Sequence, residues 1–194
     1  MAGTSDVKLE IFLYCNRLQL GNDDILYSDG DRYRPALIAI DYLKTFLPST
    51  KRVLVLGTGL GSIVRIIRGK GFDPHFTLIE NDKEILKCAV EFLEEDCPSN
   101  IDPVCGDAMV FMQKNTANYD LIFIDIFKGR IVPDFVTTPA FLKNCFDSLA
   151  PGGHLAFNYI INDRHKWDST LETFSEIFPH HKVINNGINR IFIT

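Results

Sequence analysis

Three glycines in alternating positions are the feature of this sequence best suited to binding a nucleoside. Gly57, Gly59 and Gly61 follow a short apolar run and precede a helix-like segment that begins at Ser62. Glycine permits positive φ, and it lets a ligand approach bare backbone at the N-terminus of a helix. We therefore expect these glycines, together with Thr58, to form a ligand-binding turn.

The spacing of the glycines bears on which nucleotide the turn would hold. A dinucleotide fingerprint, G-x-G-x-x-G, needs glycine at position 62, where this sequence has Ser62. The pattern here is G-x-G-x-G, which argues against a nicotinamide cofactor. An NAD-linked activity stays an alternative.

Two acidic residues stand where predicted strands end. Glu80 lies 80 − 61 = 19 residues after Gly61, and its carboxylate can accept hydrogen bonds from both ribose hydroxyls. We include Asn81 beside it in the predicted site.

The second acid, Asp107, can accept a hydrogen bond from the exocyclic amine of adenine, while the backbone amide of Ala108 donates to the ring. The other reading of Asp107 is an N-cap for the helix that follows.

The elements that must position these residues alternate between strand and helix. Apolar runs at 53–56, 76–79, 101–105, 121–124 and 154–158 predict strands, and segments 62–68, 83–93, 108–114, 141–149 and 167–178 predict helices. A further helix starts at Pro35 and stops at Pro48, and a closing hairpin joins 182–184 to 191–193. This order predicts an α/β fold: a doubly wound, mostly parallel seven-stranded sheet with helices on both faces and an antiparallel C-terminal hairpin. Residues 150–153, Ala-Pro-Gly-Gly, are expected to close the helix predicted over 141–149.

The first part of the chain does not follow this alternation of strands and helices. Short β-like runs at 9–14, 17–20 and 25–27 predict a small N-terminal β-appendage. We expect two units, residues 1–31 as this appendage and residues 32–194 as the nucleoside-binding domain.

Composition excludes several classes of protein. The 194 residues are 46% hydrophobic and carry a net charge of −5, which argues against disorder and against a phosphate-backbone footprint. No apolar run approaches the roughly 20 residues that span a bilayer, and no signal peptide is recognisable. We expect a cytoplasmic protein that binds neither nucleic acid nor membrane.

Cysteine and histidine are spaced without a metal-binding pattern. The five cysteines are odd in number and contain no C-x-x-C pair, so neither a disulfide framework nor a zinc site is indicated. We expect most of them to be small buried hydrophobic residues. No metal site is predicted.

Five motifs in register support a resemblance. They are the glycine turn 57–61, Glu80, Gly106-Asp107, the run 119–125 and segment 149–153. Their order resembles that of S-adenosylmethionine-dependent methyltransferases of the Rossmann-like class, and most closely the spermidine synthase branch. The match covers about residues 51–158, and the appendage is similar to a shortened N-terminal β-element of that branch. The resemblance implies S-adenosylmethionine, or its decarboxylated form, bound over the glycine turn.

The resemblance also implies where the reaction takes place. In spermidine synthases the aspartate that matches Asp125 contacts the attacking amine, so Asp125 is the predicted catalytic residue. Tyr27, Tyr33, Lys128 and Asn158 are the predicted substrate contacts. Members of the branch are commonly dimers, so a homodimer is compatible with the resemblance.

The sequence departs from aminopropyltransferases after Asp125. Those enzymes continue with small residues and a second acid followed by proline, whereas this chain continues Ile-Phe-Lys-Gly-Arg, and the Tyr-His-Glu element expected upstream is missing. Lys128 and Arg130 would repel a polyammonium substrate. The main hypothesis is therefore a methyltransferase of spermidine synthase-like type acting on a small molecule. The alternatives are an aminopropyltransferase and a non-catalytic nucleoside-binding module.

Overall fold

A computed structural model describes residues 10–14, 17–21, 26–94 and 100–194 of the chain. Its ten described strands form two sheets, and the larger has seven strands. The strands of the smaller sheet are β1 (Glu10–Tyr14), β2 (Arg17–Gly21) and β3 (Leu26–Ser28). Those of the larger are β4 (Arg52–Leu56), β5 (His75–Glu80), β6 (Ile101–Cys105), β7 (Tyr119–Ile124), β8 (Leu149–Ile160), β9 (Lys182–Asn186) and β10 (Asn189–Ile193).

The larger sheet has the order β6-β5-β4-β7-β8-β10-β9. Strands β4 to β8 pair in parallel, and β10 pairs antiparallel with both β8 and β9. This confirms the predicted doubly wound, mostly parallel sheet with an antiparallel C-terminal hairpin. The chain order reverses between β4 and β7, which is where ligands bind in such sheets.

Six α-helices of the described chain cover the two faces of this sheet. They are α1 (Arg34–Tyr42), α2 (Ser62–Gly69), α3 (Lys83–Glu94), α4 (Ala108–Lys114), α5 (Pro139–Asp147) and α6 (Arg164–Ile177). Successive strand residues point to opposite faces. Val53 and Phe123 therefore pack with α1, α2 and α3, whereas Leu54 and Ile122 pack with α4, α5 and α6. Both faces of the central strands are buried, which explains their continuous apolar runs.

The small sheet packs through one side and exposes the other. Gln19, Leu20 and Ser28 are buried, whereas every residue of β1 is exposed. A short 3-10 helix, Gly30–Arg32, connects this sheet to α1 and packs against α2. The proposed division after residue 31 falls inside that 3-10 helix.

Two predicted boundaries differ most from those of the structure. Helix α1 ends at Tyr42 rather than at Pro48, and turns followed by a 3-10 helix, Leu47–Ser49, complete the segment. Leu43 and Leu47 are nevertheless both buried, so both leucines face the core although the α-helix ends before them.

The second correction concerns segment 149–153. Helix α5 ends at Asp147, and Leu149 begins β8, so the Ala-Pro-Gly-Gly run lies within a strand. The pairing of β7 with β8 shifts register between Tyr119 and Leu121. Gly152, with φ +75°, adopts the positive φ that this irregularity requires.

The described cysteines only partly match expectation. Cys145 is buried, Cys88 is intermediate and Cys105 is exposed, while Cys15 and Cys97 lie outside the described residues. Within the same ranges, no three His, Cys, Asp or Glu residues are grouped as a metal site would require. No helix among the described residues is long and apolar enough to cross a membrane.

Candidate active site

The glycine turn joins β4 to α2 through three left-handed residues. Gly57, Gly59 and Gly61 have φ of +88°, +51° and +78°. A Cβ on Gly57 would stand 2.3 Å from the carbonyl oxygen of Asp125, and one on Gly61 would stand 2.6 Å from Cδ1 of Leu93. Internal packing therefore requires two of the three glycines.

Glu80 closes the turn from the end of β5. Its Oε2 accepts hydrogen bonds of 3.2 Å from the backbone amides of both Thr58 and Gly59, and its Oε1 accepts one of 3.1 Å from Asp82. Burial raises the pKa of Glu80, and these backbone bonds oppose the rise. The carboxylate thus stands beside the turn, and the adjacent Asn81 is exposed.

The turn offers donor groups as well as this acceptor. In the described chain no side chain caps the start of α2, where Gly61 is the N-cap residue. Backbone amides at an uncapped helix N-terminus bind hydrogen-bond acceptors. An acidic acceptor beside uncapped donors is the arrangement that a ribose and its substituents require, so these residues fit the nucleoside predicted for the turn.

Asp107 caps α4 as the alternative reading allowed. Its Oδ1 accepts from the amides of Met109 at 2.7 Å and Val110 at 3.2 Å. Ala108 follows as the first, buried residue of the helix. Both bonds use Oδ1, so capping and a ligand contact through Oδ2 are geometrically compatible.

Asp125 lies at the sheet edge, directly after β7, and is only partly buried. Its Oδ1 accepts hydrogen bonds from the Tyr33 hydroxyl at 3.1 Å and from Nδ2 of Asn158 at 2.9 Å. The same Asn158 amide donates to the Tyr33 oxygen at 3.1 Å. Among the described residues no hydrogen bond reaches Oδ2 of Asp125. One oxygen is therefore held in place while the other is available to a substrate.

Burial dominates the electrostatics of this cluster. Desolvation raises the pKa of Asp125 to about 7, against the lowering effect of the bonds from Asn158 and Tyr33. Burial and the neighbouring Asp125 raise the pKa of Tyr33 well above its usual range. Near neutral pH, Asp125 can therefore both accept and release a proton.

Asn189 is a member of this cluster that sequence reasoning missed. Its Nδ2 donates to Oδ1 of Asn158 at 2.8 Å, which orients the Asn158 amide so that its NH₂ faces Asp125. Residue type alone does not single out Asn189. The antiparallel register of β10 on β8 brings it beside Asn158.

No hydrogen bond joins Lys128 to this cluster among the described residues. Lys128 forms a backbone bridge with Ile131 around Gly129, which places Lys128 and Arg130 on an exposed turn. The side chain of Tyr27 lies outside the part of the chain that the structure describes. Tyr33 and Asn158 are the predicted substrate contacts that lie beside Asp125.

The family model and the curated relatives agree on one family. Residues 40–182 match the spermine/spermidine synthase domain. The polyamine aminopropyltransferase of Vibrio vulnificus is 24% identical over 155 residues, which cover 77% of this chain and 52% of that one. The spermidine synthase of Dictyostelium discoideum is 31% identical over 111 residues, covering 55% and 39%. The chain thus spans about half the length of these curated relatives, or less.

Solved structures show the same fold. A probable spermidine synthase from Corynebacterium glutamicum superposes with a TM-score of 0.78 at 21% identity, covering 95% of this chain and 75% of that one. Human methyltransferase-like protein 13, solved in complex with SAH, gives 0.68 at 19% identity, covering 84% and 80%. These similarities establish the Rossmann-like fold and do not by themselves choose a reaction.

Proposed function

Because the chain belongs to the spermine/spermidine synthase domain family, we propose that it transfers an aminopropyl group from decarboxylated S-adenosylmethionine to an amine. The names of the curated relatives favour this reaction over the methyl transfer that the residues after Asp125 favour. The observation that carries the proposal is Asp125, whose Oδ1 is held by Tyr33 and Asn158 while Oδ2 faces no donor of the described chain.

The proposed reaction is a single displacement. The amine nitrogen forms a bond to the propyl carbon next to sulfur, the C–S bond breaks with its electron pair going to sulfur, and 5′-methylthioadenosine leaves. The nitrogen loses one proton, which Oδ2 of Asp125 accepts. Since the sulfonium is already a good leaving group, the protein mainly aligns the two reactants and removes that proton.

Other residues would hold the donor. We assign its ribose to Glu80, its adenine to Asp107 and the backbone amide of Ala108, and its remaining contacts to the turn that Thr58 and Gly59 form. Asn81 extends the ribose side of this site. These residues follow β4, β5 and β6, three adjacent strands, and so lie along one edge of the sheet.

Methyl transfer is the second candidate, and one feature favours it. Lys128 and Arg130 stand on the turn that follows Asp125, and cations there could receive the carboxylate of intact S-adenosylmethionine. The two donors differ by that carboxylate, so the released nucleoside distinguishes the two reactions.

The test is to incubate the protein with each donor and a panel of primary amines, and to identify the released nucleoside by mass spectrometry. We expect 5′-methylthioadenosine from the decarboxylated donor. S-adenosylhomocysteine from the intact donor alone would establish methyl transfer instead, and release of neither would remove the catalytic proposal.

The residue test is Asp125→Asn. The amide keeps an oxygen for Tyr33 and Asn158 but cannot accept the proton, so we expect kcat to fall by about 10²–10⁴-fold. Donor affinity, measured by calorimetry, should change less than about threefold, since Asp125 is not assigned to the donor. The matched control is Asp134→Asn, an exposed carboxylate that follows the same strand and pairs with Lys166. Unchanged turnover in Asp125→Asn would remove Asp125 from the mechanism.

A further inference from the structure

Asn189 is the outermost member of a chain of hydrogen bonds that ends on Asp125. Its Nδ2 donates to Oδ1 of Asn158 at 2.8 Å, and Nδ2 of Asn158 donates to Oδ1 of Asp125 at 2.9 Å. Only 6% of Asn158 is exposed, so its amide depends on these protein partners rather than on water. The bonds therefore connect the C-terminal hairpin, β9 and β10, to the carboxylate at the sheet edge.

The bonding capacity of each group determines the direction of this chain. An ionised carboxylate only accepts hydrogen bonds, so the NH₂ group of Asn158 must face Asp125. The carbonyl oxygen of Asn158 then faces the other way and needs a donor, which the NH₂ group of Asn189 supplies. The Tyr33 oxygen accepts from the same Asn158 amide and gives its own hydrogen to Asp125. All of these bonds are thus directed towards Oδ1 of Asp125.

The backbone of β10 holds Asn189 in the place that this bond requires. Asn189 pairs with Ile160 of β8 on one side and with Asn186 of β9 on the other. Asn158 precedes Ile160 by two residues, so it is the diagonal neighbour of Asn189 on the same face of the sheet, within reach of a side-chain amide. Pairing with two strands therefore fixes the position from which Asn189 donates.

The other groups around Asp125 leave the Asn158 amide as the adjustable one. Gly57 approaches Asp125 through the backbone, and Tyr33 is the titratable residue that hydrogen-bonds to it in the described chain. The side chains that α1, α2, β8 and β10 pack beneath it are apolar: Pro35, Ala36, Ala39, Ile63, Ala156 and Ile191. The orientation of Asn158 is therefore the polar feature of this environment that a more distant side chain can control.

We propose that Asn189 is a positioning residue: by donating to Asn158 it keeps the Asn158 amide turned towards Asp125, which occupies Oδ1 and leaves Oδ2 to the reacting amine. The part assigned to Oδ2 rests on the proposed aminopropyl transfer, whereas the orientation of Asn158 does not. Asn189 acts through Asn158, so its removal changes the proton affinity of Asp125 without removing the carboxyl group itself.

Asn189→Asp tests the direction of the chain. The variant keeps the shape of the side chain, but an ionised carboxylate only accepts. We expect the Asn158 amide to turn its NH₂ group towards position 189 and its carbonyl oxygen towards Asp125. Ionised Asp125 then loses a hydrogen bond and faces an oxygen, so its pKa rises. NMR titration of the Asp125 carboxyl carbon should give a midpoint about one pH unit above that of the wild type.

The new charge also acts on Asp125 directly, and a double-mutant cycle removes that contribution. In an Asn158→Leu background, Asn189→Asp keeps its charge but has no amide to turn, so we expect less than half of the rise. The matched control is Asn186→Asp, which places the same charge at the residue paired with Asn189, one strand further from Asp125. It should move the midpoint less than a third as far, because solvent screens the more distant charge.

An uncharged variant gives an independent measurement. Asn189→Leu cannot donate to Asn158 and adds no charge, so it should raise the same midpoint by about half a pH unit, also where Asn189→Asp fails to fold. A midpoint that both variants leave unchanged, or a rise of the same size in the Asn158→Leu background, would overturn the proposal.

Turnover is a second readout, which a purely structural role would not reproduce. The acidic limb of kcat/KM should move with the NMR midpoint, so Asn189→Asp should lose about tenfold at pH 6 and less than threefold at pH 9. Equal losses at both pH values would mean that Asn189 supports the fold and does not position Asn158. If no amine reacts, aminopropyl transfer fails, and the NMR midpoints still decide whether Asn189 orients Asn158.

Discussion

Asp125 experiences two opposed influences, and their balance sets its chemistry. Tyr33 and Asn158 each donate to Oδ1 and favour the ionised form, while burial favours the neutral form and is the larger effect. The result is a carboxyl group with a pKa of about 7. It is a better proton acceptor near neutral pH than an exposed aspartate would be.

The acidic limb of the profile of kcat/KM against pH measures the pKa that burial and hydrogen bonding give Asp125. Asp125 must be ionised to accept a proton, so kcat/KM should rise through about pH 7 in the wild type. Tyr33→Phe removes a donor to the ionised form, raises the pKa of Asp125 and moves that limb to higher pH. The control Tyr42→Phe, at an exposed tyrosine of α1, should leave the limb in place. A limb that does not move in Tyr33→Phe would mean that Asp125 is not the titrating group.

Only part of this cluster could be predicted from the sequence. Asp125 follows an apolar strand and matches a family motif, and Tyr33 and Asn158 were named as substrate contacts. Asn189 carries no such signal, because its role depends on the register of β10 against β8. That register is a tertiary property which local residue patterns do not encode.

Among the secondary-structure elements, the turn between β4 and α2 combines a packing role with the ligand-binding role that we propose for it. Gly57 brings its backbone against the segment that carries Asp125, and the amide of Asp125 donates to the carbonyl of Leu56 at 2.8 Å. The turn that we propose binds the donor and the residue that we propose meets the acceptor are therefore in direct backbone contact.

Gly57→Ala tests this contact. The new Cβ would meet the Asp125 carbonyl at 2.3 Å, so we expect displacement of Asp125 and a loss of turnover of more than tenfold. The matched control is Gly71→Ala, because Gly71 has a similar φ of +84° and open space around its Cβ position. It should cost about 1 kcal/mol of stability through backbone strain alone. Equal turnover in the two variants, measured at saturating substrate, would show that the contact between Gly57 and Asp125 does not affect the reaction.

The element boundaries show where local patterns stop being informative. Strand β6 and helix α4 begin and end where the sequence predicts. Helix α1 was predicted too long because Leu43 and Leu47 keep helical spacing across a turn. Strand β8 was predicted too short, since its Pro-Gly-Gly run reads as a loop, and pairing with β7 extends the strand through it.

Considering the molecule as a whole, the same carboxyl group that serves the proposed reaction lowers the stability of the fold. Its pKa is raised in the folded state, so Asp125 contributes stability below about pH 4 that is lost as the pH rises through about 7. Asp125→Asn should therefore raise the free energy of unfolding at pH 8 by about 2 kcal/mol, with little change at pH 4.

Urea denaturation of the wild type and Asp125→Asn at the two pH values measures this difference. Asp134→Asn should change the free energy of unfolding by less than about 0.5 kcal/mol at pH 8, because an exposed ion pair contributes little. A less stable Asp125→Asn at pH 8 would contradict the raised pKa.

A buried pair of hydroxyls links the small sheet to helix α2. Oγ of Ser28, at the end of β3, lies 2.6 Å from Oγ of Ser62, the first residue of α2. Ser28→Ala leaves the Ser62 hydroxyl without this partner, so we expect a loss of about 1–3 kcal/mol in the free energy of unfolding.

A double-mutant cycle isolates this coupling. Ser28→Ala combined with Ser62→Ala should cost less than the sum of the single changes. Ser49→Ala, at an exposed serine, is the control and should have little effect. Strict additivity would show that the N-terminal sheet and α2 are energetically independent.

The backbone contact between Gly57 and Asp125 also constrains how a lineage carrying this fold can diverge. A mutation that shifts one loop shifts the other, so selection for a new acceptor acting near Asp125 would impair donor binding in the same step. We therefore expect proteins related to this one to keep glycine at the position of Gly57 even where their acceptors differ.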